Sequence, residues 1–142
     1  MTRYRPGRSF KPLRWPWLWA GLWAAAIAAV VIGSMLPASD LQSLPSVNDK
    51  LLHFLGYFAL AAGAVQLFAR RSALLVACVA IGLLGIGLEW AQGAFASGRQ
   101  MDPSDAVANC VGVLAGLATQ FTPLRDALPW LEARAGMMTR NE

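Results

Sequence analysis

The segment "SALLVACVAIGLLGIGLEWAQGAF" (residues 72–95) decides the class of fold. Its only charged side chain is that of Glu89. A transmembrane helix needs about 20 predominantly apolar residues, so this segment predicts a helix that crosses a membrane. A carboxylate inside such a helix is costly unless it is paired or protonated, and it is by default a candidate for function. The segment that indicates a membrane fold therefore also contains a candidate functional residue.

Three more apolar segments accompany it. "WLWAGLWAAAIAAVVIGSML" (17–36) has no charge, "LLHFLGYFALAAGAVQLFA" (51–69) has one ionisable group, His53, and "AVANCVGVLAGLATQF" (106–121) is short but uncharged. Of the 142 residues 56% are hydrophobic and only 14% are charged, which is too little polar surface for a soluble domain of this size. We predict an all-α integral membrane protein with four transmembrane helices, at about 17–36, 51–69, 72–96 and 105–122.

The basic residues give this bundle an orientation. The chain has 12 Lys and Arg residues and a net charge of +4. Five precede the first span, two fill the turn at 70–71, and three follow the fourth span, which leaves only Lys50 and Arg99 in the two other loops. This positive-inside pattern places both termini in the cytoplasm. Basic side chains so placed indicate attraction to anionic lipids, not to nucleic acid.

The segments outside the spans are short. We predict a basic cytoplasmic arm at residues 1–14 and a cytoplasmic tail at 123–142, which contains a short interfacial helix broken at Pro129. Between them, residues 15–122 form the transmembrane domain. The expected location is the cytoplasmic (inner) membrane of a bacterium.

Polar side chains from three segments reach the same, extracytoplasmic side of the predicted bundle. Asp49, His53 and Tyr57 are spaced i, i+4, i+8, and therefore share one helix face, while Glu89 and Gln92 are i, i+3 neighbours. The candidate site residues are Asp49, Lys50, His53, Tyr57, Glu89, Gln92, Arg99, Asp102, Asp105 and Asn109. Glu89 and His53 are the candidate acid and base, and the others are candidate ligand-binding residues.

The fourth span contributes a single stripe of these residues. Asp102, Asp105 and Asn109 continue along one face into a GxxxG pattern at Gly112 and Gly116, which permits close approach of another helix. Gly82 and Gly85 in the third span can do the same. Asp102 before a proline is also the pattern of a helix N-cap, so a purely structural role for the acids stands beside the functional one.

These residues closely resemble the pattern of the VanZ-like family of small bacterial membrane proteins. The matching elements are "DKLLHFLGYFAL" (49–60), "EWAQ" (89–92), Arg99 and "DPSDAVANCVGVLAG" (102–116). The resemblance covers about residues 45–120 and includes every polar position named above. It implies a multi-span membrane protein of a family whose founding member confers low-level resistance to the glycopeptide teicoplanin. It does not imply a particular reaction, nor that this chain confers resistance.

Three functions are compatible with these residues. In the first, Lys50 and Arg99 hold an anionic group of a membrane lipid, a polyprenyl-linked molecule or a cell-wall precursor, helped by the outward N-terminus of the fourth helix. In the second, Glu89 and His53 act as acid and base of an intramembrane enzyme. In the third, the polar groups hold the helices together in an accessory subunit, and in any of these the protein can form oligomers.

We expect no cofactor, although the donor atoms leave room for a divalent metal. Asp49, His53, Asp102 and Asp105 offer oxygen and nitrogen ligands that could gather one. With only one histidine in the sequence, there is little support for a zinc site.

Overall fold

The computed structural model describes residues 9–37, 48–96, 98 and 100–138, and within these ranges the chain is helical without named strands. The described ranges contain five α-helices, α1 (Pro16–Ser34), α2 (Asp49–Leu67), α3 (Arg71–Phe95), α4 (Pro103–Ala118) and α5 (Ala127–Met138). Two short 3-10 helices, Thr119–Phe121 and Pro123–Asp126, connect α4 to α5. The predicted first three helices are confirmed, with ends displaced by no more than two residues.

Helices α1, α2 and α3 are each long and apolar enough to cross a membrane. Helix α4 has 16 residues; it qualifies only when Pro103–Phe121 and Pro123–Gly136 are taken together, and these two pieces meet at a bend of 81°. The described chain therefore has three helices that can span a membrane, or four if the bent pair counts as one. This supports a helical membrane protein, with the fourth span less regular than the sequence predicts.

The surface of α3 is typical of a helix that contacts lipid. Val76, Leu83 and Trp90 are each more than 60% exposed, whereas Glu89 and Gln92 of the same helix are 1% and 2% exposed. A soluble helix has the opposite arrangement, with large apolar side chains inside and charged ones outside. Burial of the polar groups and exposure of the apolar ones fit a helix whose outer face contacts hydrocarbon.

The closest helix pair is α2 and α4, and glycines make that approach possible. A Cβ atom added to Gly116 would lie 2.5 Å from the Phe58 carbonyl oxygen, and one added to Gly112 would overlap the Phe54 carbonyl oxygen. The GxxxG prediction is thus confirmed. Gly85 similarly faces Tyr57, but a Cβ on Gly82 would meet nothing within 4 Å. The prediction that Gly82 permits close approach of another helix is wrong, because no other part of the described chain lies within 4 Å of a Cβ at that position.

One end of the bundle gathers the beginning and the end of the described chain. The Lys11 amide donates to the Leu67 carbonyl (2.8 Å), and the Ala69 amide donates to the Ser9 carbonyl (2.8 Å), so part of the basic arm pairs with the end of α2. Phe10 stacks on Phe68 with ring centroids 5.2 Å apart. We call this the basic end, since the Arg70–Arg71 turn also lies here.

At the basic end, α5 is tied to the start of α1 by Glu132, which is 8% exposed. Its carboxylate accepts hydrogen bonds from the backbone amides of Arg14 (2.5 Å) and Trp15 (3.3 Å) and from the Trp19 indole Nε1 (2.7 Å). Helix α1 has no side-chain cap of its own. A carboxylate at a helix N-terminus satisfies unpaired amides and complements the helix dipole, so Glu132 caps α1 from a distant part of the chain.

The tail is not broken at Pro129, contrary to the sequence prediction. Helix α5 begins at Ala127 and continues through Pro129 to Met138. Pro129 lies in the first turn, where an amide has no partner within the helix and its absence therefore costs little.

Candidate functional site

Helix α2 brings four of the candidate residues, Asp49, Lys50, His53 and Tyr57, to the end opposite the basic end. Asn48 caps the helix, its side chain accepting a hydrogen bond from the Lys50 amide (3.0 Å). Asp49, His53 and Tyr57 then follow on successive turns. Their side chains descend from exposed to buried, from 58% exposure at Asp49 through 9% at His53 to a Tyr57 that is almost fully buried.

Helix α4 supplies the second group of residues. Asp102 is its N-cap and accepts a hydrogen bond from the Ser104 amide (2.8 Å), with Pro103 at the first helical position, as predicted. Hydrogen bonds from Ser104 and from Lys50 lower the pKa of Asp102 from its ordinary value of 3.8. Asp105 and Asn109 follow on the buried face.

Lys50 joins α2 to α4. Its Nζ atom lies 2.9 Å from Asp102 Oδ2 and 3.1 Å from Asp105 Oδ1. The Asp105 side chain is 8% exposed whereas that of Asp102 is 46% exposed, so the ammonium group stands between water and the interior. Lys50 is therefore engaged by two carboxylates of α4.

His53 lies at the centre of the arrangement. Its Nδ1 atom is 3.0 Å from Asn109 Oδ1 and 3.6 Å from Glu89 Oε1. Its Nε2 atom is 3.9 Å from Asp49 Oδ1 and 3.9 Å from Asp105 Oδ2. One imidazole thus faces a buried amide and a carboxylate with one nitrogen, and two further carboxylates with the other.

Helix α3 contributes the last two residues of the site. Glu89 and Gln92 are both buried, and the Gln92 side-chain amide donates to the Ser34 carbonyl at the end of α1 (2.8 Å). A cavity of about 230 Å³ lies between α1, α2 and α3, lined by Asp49, His53, Tyr57 and Gln92 on its polar side. Val30, Gly33, Leu52 and Gly56 form its less polar walls, with Ser34 at the α1 end. We call it the α1–α2 cavity.

The structure brings nine of the ten predicted site residues together at one end of the bundle; Arg99, the tenth, lies outside the described residues. We call these nine the polar cluster: Asp49, Lys50, His53, Tyr57, Glu89, Gln92, Asp102, Asp105 and Asn109. The sequence did not indicate the contributions of the Ser34 and Gly85 carbonyl groups, which accept from Gln92 and from Asn109 (3.4 Å). Backbone acceptors leave no pattern in side-chain chemistry, so no sequence signal would have found them.

Among the described residues, three of the four predicted metal donors come close enough to share one ion. Ligand atoms of Asp49, His53 and Asp105 all lie within 4.8 Å of one another. Asp102 is not part of this group, because its carboxylate is directed to Lys50 and to the cap of α4.

Fold and site together define a helical protein suited to a membrane, with a buried polar cluster at one end. No protein-family model, no curated protein and no solved structure matches the chain.

Proposed function

We propose that the protein is a VanZ-like protein of the bacterial cytoplasmic membrane, and that its polar cluster faces outward and binds the polar headgroup of an envelope lipid or a lipid-linked cell-wall precursor. The described basic residues of the arm, the 70–71 turn and the tail occupy the other end of the bundle, which supports this orientation through the positive-inside rule. By resemblance to its family, the protein is also proposed to affect sensitivity to teicoplanin-type glycopeptides.

The observation that carries the proposal is the chemistry of the α1–α2 cavity. Its lining combines polar side chains of Asp49, His53 and Gln92 with apolar residues of α1 and α2. A cavity with a few converging polar groups and apolar walls is typical of a ligand site. An amphiphilic lipid fits this mixed lining. Its headgroup would contact the polar cluster, and its hydrocarbon chain would extend between α1 and α2 toward the surrounding lipid.

The test is to fill the cavity without touching its polar groups. Gly56 lines the cavity, and a Cβ there would meet only a Val30 methyl group, at 4.0 Å. We expect Gly56→Leu to weaken binding of a polyprenyl phosphate at least about 10-fold, because displacing a headgroup by a misplaced side chain costs more than about 1.4 kcal/mol. Binding would be measured on purified protein in nanodiscs by native mass spectrometry.

The matched control is Gly82→Leu, which introduces the same side chain on α3 where nothing lies within 4 Å. It should bind like the wild type. Equal lipid affinity in Gly56→Leu and Gly82→Leu, with unchanged unfolding midpoints, would refute a headgroup site in this cavity.

A second candidate function is an intramembrane hydrolase, which the approach of His53 Nδ1 to the buried Glu89 carboxylate (3.6 Å) favours. In this reaction the oxygen of water would bond to a phosphorus of a lipid diphosphate, and the bridging P–O bond would break. The departing phosphate would keep the bonding electrons, and the proton lost by water would pass to the His53–Glu89 pair. We expect mass spectrometry to find lipid monophosphate and inorganic phosphate with the wild type and neither with Glu89→Gln; intact substrate in both would exclude this candidate.

A further inference from the structure

We propose that the polar cluster holds a divalent cation on Asp49, His53 and Asp105. This inference rests on the proposed function, because it explains how a cluster rich in carboxylates can accept an anionic headgroup. Among the described residues of the cluster, four are acids (Asp49, Glu89, Asp102 and Asp105), one is a permanently charged base, Lys50, and one is a histidine, His53. Lys50 is already engaged by two of these carboxylates, so a cation held among the acids would add positive charge for a phosphate.

The hydrogen bonds around Asn109 determine the state of the His53 ring. The Asn109 amide nitrogen donates to the Gly85 carbonyl (3.4 Å), which leaves Oδ1 as an acceptor 3.0 Å from His53 Nδ1. Nδ1 must then carry the hydrogen, and in the neutral ring the lone pair is on Nε2. A histidine that binds a metal commonly donates its other N–H to a carboxylate or carbonyl in this way. Here Asn109 and the neighbouring Glu89 supply that support.

The Nε2 lone pair faces the two other donors. Nε2 is 3.9 Å from Asp49 Oδ1 and 3.9 Å from Asp105 Oδ2, and the three atoms fit within 4.8 Å of one another. Around an ion with bonds of about 2.1 Å, ligand atoms are separated by about 3 to 4.2 Å. The two 3.9 Å separations fall in this range, and a cation between these electron-rich atoms would offset their mutual repulsion.

A second, independent observation points to a ligand in this region. The Tyr57 hydroxyl is buried and has no hydrogen-bond partner among the described residues. Tyr57 lines the α1–α2 cavity together with Asp49 and His53. A buried hydroxyl without a partner is unfavourable, so an oxygen atom of a ligand in the cavity would be stabilised by reaching it.

The donor set selects the class of cation. Two carboxylates and one imidazole suit a first-row divalent ion such as Mn²⁺, since carboxylates favour hard cations and imidazole disfavours Mg²⁺ and Ca²⁺ relative to transition metals. Lys50 contacts Oδ1 of Asp105 and leaves Oδ2 toward His53; it therefore positions a ligand. Asp49 and His53 also line the α1–α2 cavity, so an ion held there would adjoin the place where the headgroup is proposed to bind.

The experiment titrates Mn²⁺ into purified protein in nanodiscs of zwitterionic lipid, with electron paramagnetic resonance as the readout. We expect one tightly bound Mn²⁺ per chain and a ¹⁴N coupling from a directly bound imidazole. Asp49→Asn should weaken Mn²⁺ binding by about 100-fold or more, because loss of a ligand exceeds the 10–100-fold effect of losing a supporting group. Asp49 is exposed, so the variant should fold, and His53→Gln should abolish the ¹⁴N coupling.

The control is Asp126→Asn, which neutralises an ion-paired acid at the basic end of the bundle and should bind Mn²⁺ like the wild type. Absence of a ¹⁴N coupling in the wild type, or an equal effect of the two Asp→Asn variants, would overturn the metal site. Lipid binding is measured in parallel with and without a chelator. If lipid binds equally well without metal, the role of the cation is refuted and the headgroup function stands. If Mn²⁺ binds but polyprenyl phosphate does not, the metal site is supported and the headgroup function is refuted.

Discussion

Gly116→Ala is expected to destabilise the protein by about 2 to 4 kcal/mol, although it adds only one methyl group. That methyl would lie 2.5 Å from the Phe58 carbonyl oxygen, 2.8 Å from Ala61 Cβ and 2.9 Å from the Ala62 amide nitrogen. Two of these atoms belong to the backbone of α2 and the third is a Cβ, so none can turn away as a long side chain would. The steric overlap can be removed only by moving α2 away from α4. Overpacking of this kind usually costs about 1 to 3 kcal/mol and occasionally more.

The measurement is reversible unfolding in mixed micelles, and Gly82→Ala is the control. Alanine is about 1 kcal/mol better than glycine in a helix interior, and nothing lies within 4 Å of a Cβ at Gly82. Gly82→Ala should therefore be neutral or slightly stabilising. If both variants unfold at the same denaturant concentration, α2 and α4 do not pack at the distance described.

Glu132→Ala is the second large effect, with an expected loss of about 3 kcal/mol. The change leaves two backbone amides at the start of α1, those of Arg14 and Trp15, and the Trp19 indole without their acceptor. Hydrogen bonds to a charged group contribute about 1.5 to 3 kcal/mol each in favourable cases, and α1 has no other side-chain cap. Glu132→Gln keeps one oxygen acceptor and should fall between the wild type and Glu132→Ala.

Hydrogen exchange at the first turn of α1, together with the unfolding midpoint, distinguishes this role from a general loss of packing. Exchange there should accelerate in Glu132→Ala while the α2–α4 seam remains protected. Asp126→Ala removes an acid whose side chain is 54% exposed and paired with Lys11, so it should cost less than about 1 kcal/mol. Equal effects of the two alanine variants would contradict a capping role for Glu132.

The elements that could be predicted from the sequence are those set by local pattern. Apolar segments located the helices, and Asp102 before Pro103 identified the cap of α4. The i, i+4 spacing of Asp49 and His53, with the acids of 102–109, was sufficient to place these residues in one cluster, because helical geometry and antiparallel packing leave few other arrangements.

The elements that could not be predicted depend on which faces meet. Gly82 and Gly85 have the same chemistry, but only Gly85 faces another helix. Lys50 is equally near Glu89 and the acids of α4 in a sequence-based topology, and only the packing shows that Asp102 and Asp105 engage it. Glu132 gave no signal, since its partners are 113 to 118 positions away.

The long-range cap has a consequence for biosynthesis. Trp15 emerges from the ribosome 117 residues before Glu132, which at about 5–20 residues per second is a delay of roughly 6 to 25 seconds. During that interval the first inserted helix has its leading amides open to water or to lipid phosphates. Assembly of the bundle is therefore completed only after translation reaches the last helix, and nascent chains arrested before residue 132 should retain a loosely held first helix.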